Sequence, residues 1–166
     1  MISTKQYVPL TALSVVLFLS YFMVPLLFPD IPTDRLWGRL RYKKDLHKWF
    51  LLSTAVMWIC YSVVLWFLYT RGERIQRSIV WSLSGFLIFS LLWMPLMYLY
   101  MKQPHVYSYM ISAVLGATAF FAFWVLFLVW QIRDNSMWSV IAIVSAVYVC
   151  FHTFVVDFIL FSLLAL

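Results

Sequence analysis

Two ionisable side chains, His152 and Asp157, stand in a closing stretch (138–166) that is otherwise almost wholly apolar. An imidazole and a carboxylate can relay a proton, polarise a ligand or pair with a charge. At membrane depth such groups are expensive, so each calls for a partner or a function. On an α-helix turning roughly 100° per residue, Ser145, Tyr148 and His152 share one face, while Asp157 falls about 140° round from His152. Thr153, four residues before Asp157, can share the face of the carboxylate. The two ionisable groups are therefore expected to meet different neighbours rather than each other. For His152, a proton-relay or ligand-polarising site stands beside a plain interhelical hydrogen bond. For Asp157, the answer turns on depth. Trp138 to Asp157 is roughly 28 Å of helix: a span that begins at Trp138 puts the carboxylate near headgroups, and one shifted toward Leu166 puts it deep.

Other chemistries find little support in the residues. His47 and His105 lie in connecting segments, with no ligand pair at helical spacing, so no metal site is expected. Cys60 and Cys150 stand alone within apolar stretches and read as small packing residues. Nucleophilic catalysis would need a serine or cysteine and an oxyanion donor beside His152. Cys150, two residues away, points elsewhere, and no catalytic residue is assigned.

The elements that position these side chains are set by composition. The chain is 65% hydrophobic and 11% charged, with a formal net charge of +6, and its mean hydropathy is +0.93. A soluble domain carries about 25% charged residues, so lipid is the expected main solvent. Five apolar stretches at about 9–28, 49–70, 78–101, 105–130 and 138–166 each approach or exceed the roughly 20 residues that cross a bilayer core. The expectation is an all-α integral membrane protein, a bundle of five transmembrane helices forming a single polytopic domain over 1–166. The apolar run after Lys5 has the polarity of a signal peptide but lacks a small-x-small cleavage site, and reads as a retained first helix.

Pro95 should kink the third helix, and Gly72 suits a left-handed cap after the second. Ser108, Ser112 and Gly116 recur every fourth residue, with Ala113 and Ala117 beside them, so the fourth helix should pack closely and centrally. The first connection, 29–48, holds Arg35, Arg39, Arg41, Lys43, Lys44 and Lys48, which are expected to contact headgroups. Leu36, Trp37 and Leu40 fall at helical spacing there, the pattern of a short interfacial helix, with a solvated basic loop as the alternative. Five Lys and Arg fall on the N-terminal side and seven on the other, which favours an outer N-terminus and inner C-terminus. The charge does not imply nucleic acid.

Aromatic residues make up 20% of the chain, nine of them Trp. Most suit interface belts and lipid contact. Trp58 and Trp93 lie mid-span by count and could instead fill the core or line a pocket. The run Ser90-Leu91-Leu92-Trp93-Met94-Pro95-Leu96-Met97-Tyr98 resembles the third-helix pattern of the translocator protein (tryptophan-rich sensory protein) family, with Ser90 where Asn is usual. Trp58, Tyr61, Leu65-Trp66 and Arg71-Gly72 are loosely similar to its second helix. The family's first-loop motif is absent apart from Trp37 and Leu40, and His152 and Asp157 stand in place of its fifth-helix pattern. The resemblance implies a porphyrin or sterol pocket touching Trp37, Trp58 and Trp93.

Three roles follow. The first is a non-catalytic accessory or structural subunit in a larger membrane assembly, with the bilayer and other membrane subunits or further copies of itself as partners. The second is a translocator-like binder of a flat apolar ligand, using Trp37, Trp58, Trp93, Tyr148 and His152. The third is a small membrane enzyme or proton-coupled carrier that uses His152 and Asp157.

Overall fold

A computed structural model describes residues 4–27, 44–72 and 75–164, with the first helix's side chains described from Val8 to Ser20. Within these residues every regular element is helical: α1 (Thr4–Leu27), α2 (Lys44–Arg71), α3 (Gln76–Lys102), α4 (Pro104–Gln131) and α5 (Met137–Phe151), the last continued by a π-helical segment, His152–Phe161, and one α-helical turn, Ser162–Leu164. Four helices are long and apolar enough to cross a membrane: Lys48–Arg71, Gln76–Lys102, Pro104–Gln131 and Met137–Phe161. The described apolar part of α1, Val8–Ser20, is shorter. Trp37, Arg35, Arg39, Arg41 and Lys43, and with them the interfacial helix expected in the first connection, lie outside the described residues.

Local chemistry explains several helix ends. Lys44 and Lys48, expected in the connection, belong to the start of α2, where Asp45 in the first turn complements the positive end of the helix dipole. Pro104 opens α4, where a missing amide hydrogen costs nothing. Ser136 caps α5 by accepting a hydrogen bond from the amide of Ser139. Gly72 is not in the left-handed conformation expected of it. Its amide donates to the Leu68 carbonyl at 2.8 Å, and a Cβ there would press on that carbonyl oxygen and on the Ile79 side chain. Space, not backbone handedness, is what glycine supplies at this position. α3 runs on through Pro95 to Lys102.

The main packing contacts run α1 to α3, α3 to α4, α4 to α5 and α5 to α2. α1 and α2 are joined by a hydrogen bond between Ser14 and Tyr61 at 2.9 Å. α4 also touches the π segment, the last turn and α2, as its small residues lead one to expect. Phe158 lies where a side chain at Gly116 would project, and Ser112 donates to Ser162 at 3.2 Å. The ring of Phe121 fills the corresponding space over Gly85.

Candidate functional site

The π segment decides the site. An α-helix would hold His152 and Asp157 about 140° apart. In a π-helix each amide bonds the carbonyl five residues back, which sets residues five apart on one face. His152 Nε2 accordingly lies 3.3 Å from Asp157 Oδ1. The expectation that these groups meet different neighbours is overturned, because it assumed an α-helix through to the end of the chain. Thr153 stands at the junction and donates to the carbonyls of Val149 at 2.9 Å and Cys150 at 3.3 Å. Such back-bonding from a threonine bends a helix and competes with its ladder.

His152 is held from its other side by α2. Its Nδ1 lies 2.8 Å from Ser53 Oγ, and Ser53 Oγ lies 3.1 Å from the Tyr148 hydroxyl. That hydroxyl also reaches the Ser53 carbonyl at 3.4 Å. Tyr148 and His152 thus share a face of the last helix, as their spacing requires, and the face is turned to α2. The result is a continuous polar series: Tyr148, Ser53, His152, Asp157. If the imidazole hydrogen on Nε2 points at the carboxylate, Nδ1 accepts from Ser53. Moving a proton along the series reverses those roles.

The series ends at a cavity of about 40 Å³, which His152 and Asp157 both line. Every helix contributes to its wall: Leu17 from α1, Thr54 and Trp58 from α2, Ser90 and Trp93 from α3, Leu115 and Thr118 from α4, Thr153 from the last helix. The α3 and α4 positions fall midway along Gln76–Lys102 and Pro104–Gln131, so the cavity reaches the middle of those two helices, while Asp157 itself lies close to the end of Met137–Phe161. His152 is only 1% exposed, whereas Asp157 keeps 31% of its side-chain surface open.

Two aromatic groups flank the cavity. In one, Trp58 meets Tyr61 edge-on with centroids 5.7 Å apart, and Tyr61 stacks on Phe86 at 5.5 Å. In the other, Trp93 meets Phe161 edge-on at 5.7 Å, and Phe161 is 6.4 Å from Phe50. The mid-span position of Trp58 and Trp93 marks both as wall residues. Ser53 escaped the sequence reading. Its signal was the adjacent pair Ser53-Thr54, two aliphatic hydroxyls side by side in the apolar run that begins at Trp49. Among the described residues no group of three or more His, Cys, Asp or Glu side chains comes together to hold a metal.

A second polar cluster joins the loop before α5 to the end of α2. Asp134 accepts from the hydroxyls of Ser136 and Ser139 and from the Ser136 amide, and pairs with Arg71. The Ser136 hydroxyl above all, then Ser139 and the Ser136 amide, hold its carboxyl well below the usual carboxylate range.

Comparison with protein families, with curated proteins and with solved structures finds no match for this chain.

Proposed function

We propose that this chain is a multi-pass membrane protein and that its bundle works as a small proton-coupled carrier. The observation that carries the reading is the Tyr148–Ser53–His152–Asp157 series ending on a cavity at the mid-height of helices long enough to span a bilayer. Ionisable groups placed so deep mark proton relays and substrate paths. α1 serves as a fifth span, with the N-terminus outside and the C-terminus inside. The basic residues Arg35, Arg39, Arg41, Lys43, Lys44 and Lys48 meet anionic headgroups on the inner side.

The distribution of aromatics supports the membrane setting. Trp81 is 75% exposed near the start of α3 and Tyr109 is 82% exposed near the start of α4, at opposite ends of the bundle. Arg133 stacks over Trp130 at 3.7 Å, and Lys102 over Tyr98 at 4.6 Å, again at the two ends. Cations resting on aromatic rings at both ends suit the two interfaces of a bilayer.

The exposed rings also suit an accessory subunit covered by other proteins. Lipid covers such faces equally well, however, and the subunit reading leaves the polar series without a use. A porphyrin or sterol site asks for a pocket of about 300–1,000 Å³, far above the cavity of about 40 Å³. The translocator-like reading therefore draws less support than the carrier.

The test uses purified protein in vesicles loaded with deproteinised cell extract and a pH-sensitive dye, with acid applied outside. Wild-type vesicles should acidify faster than protein-free ones, and Asp157→Asn should return the rate to the protein-free value while eluting from size exclusion as wild type does. Equal rates for wild type and Asp157→Asn would remove the proposal.

A further inference from the structure

The hydroxyls around the cavity have already spent their hydrogens. Thr54 donates to the Phe50 carbonyl at 2.9 Å, Ser90 to Phe86 at 2.7 Å, Thr118 to Val114 at 3.0 Å and Thr153 to Val149 at 2.9 Å. Tyr61 follows the same logic at one remove. Ser14 donates its hydrogen to the Leu10 carbonyl at 2.9 Å, so in the Ser14–Tyr61 contact the phenol is the donor. Each of these oxygens therefore turns lone pairs, not a hydrogen, to whatever enters the cavity. Asp157 adds a carboxylate, and Trp58, Tyr61, Phe86, Trp93 and Phe161 add aromatic rings to the lining, the side-chain class whose faces attract cations. Among the described residues no Lys, Arg or Glu lines the cavity; its titratable groups there are His152 and Asp157 from the last helix and Tyr61 from α2.

We propose that the cavity binds a small ammonium-type cation, ammonium or a primary methylated amine, with Asp157 as counter-ion, the hydroxyl oxygens as N–H acceptors and the aromatic walls against its flanks. The inference rests on the carrier reading and names its substrate class. Size agrees. A water needs about 10–15 Å³ of such space, so about 40 Å³ holds a cation of two or three heavy atoms and no more.

Charge balance supplies the coupling. His152 and Asp157 are neutral together when they hold one exchangeable proton between them. An arriving cation takes the carboxylate as its partner, and that proton leaves the imidazole through Nδ1, Ser53 and Tyr148. One positive charge enters and one leaves, so the site is neutral before and after. An uncompensated charge at this depth would be costly.

Radiolabelled methylammonium binding to the purified full-length protein tests the proposal. Saturable binding of one methylammonium per chain is expected, displaced by ammonium but not by sodium, nor by tetramethylammonium, which has no N–H to give. Asp157→Asn should abolish saturable binding, and Trp93→Leu should weaken it roughly tenfold by removing a desolvated ring face, both with unchanged elution. Absence of saturable binding in the wild type, or equal binding by Asp157→Asn, overturns the proposal. Displacement by sodium as effective as by ammonium also overturns it, by making the ligand an inorganic cation. Acidification of extract-loaded vesicles without methylammonium binding would discard the ammonium class while leaving the carrier reading standing.

Discussion

Asp134 and Asp157 show how far one side-chain type is governed by its surroundings. Asp134 is on the surface, between α4 and α5, and gathers hydrogen-bond donors from Ser136 and Ser139 together with Arg71. Every donor favours the charged form, so its carboxyl titrates below the usual carboxylate range in the folded chain. A folded-state value below the unfolded value of about 3.9 adds stability that is fully present above that pH and lost as pH falls below it. Thermal unfolding in detergent should therefore show a loss of stability as pH falls from about 4 toward 3. Asp134→Asn should lower stability at pH 6 and flatten that loss. An unchanged acid slope in the variant would show that other carboxylates cause it. Asp157 has a different office: its partner is one imidazole, and its open surface borders a cavity.

At the level of elements, the π segment accounts for what the sequence could and could not disclose. The apolar runs announce the helices, because 3.6-residue winding and lipid-scale length leave a clear mark in composition. α3 runs from Gln76 to Lys102 and α4 from Pro104 to Gln131, each within two residues of the patterned bounds. The face shared by Tyr148 and His152 was equally legible, since it lies where the helix is still α. Nothing in the run His152–Phe161 announces i→i+5 bonding, which depends on packing such as Phe158 over Gly116. That one geometric change turned two unrelated groups into a pair. It also yields a prediction. Residues four apart share a face in an α-helix, so deleting Val155 and letting the segment revert to α winding keeps His152 facing Asp157. The deletion should preserve wild-type elution and dye acidification. Deleting Val147 within α5 would rotate the whole segment by about 100° and should abolish both. Loss of both on Val155 deletion would show that the wider winding itself is required.

For the whole molecule, the relevant contrast is between faces turned inward and outward. Trp93 is buried against Phe161, while Trp66, Trp81 and Trp138 are exposed on the outer surface. In lipid bearing brominated chains, single-tryptophan variants retaining Trp66, Trp81 or Trp138 should be strongly quenched, and one retaining Trp93 should be nearly unaffected. Strong quenching of Trp93 would mean that lipid reaches the cavity wall. Composition made the long apolar helices readable, because charges are few and fall mostly between the apolar runs. The identity of the inward residues was readable only where a large aromatic or a polar group fell mid-span, as with Trp58 and Trp93. Ser53 was not, because its meaning comes from a partner 99 positions away.

That separation bears on how the protein is made. If the chain enters a membrane as proposed, Ser53 is synthesised and inserted long before His152 and Asp157 exist. In the proposed membrane protein the costliest residues of the last span arrive last, and an aspartate within a span adds up to about 2.5–3.5 kcal/mol to its insertion, the most at the span's centre. The high hydropathy of the segment from Met137 to Phe161 works against this cost, and so does a waiting acceptor: α2, α3 and α4 already offer a half-built cavity into which the imidazole and carboxylate can turn. Biogenesis of the proposed membrane protein would then be ordered by the same contacts that form the site. A chain carrying Ser53→Leu should release its final helix more slowly from the insertion machinery, and a time-resolved crosslinking assay on nascent chains would reveal the delay.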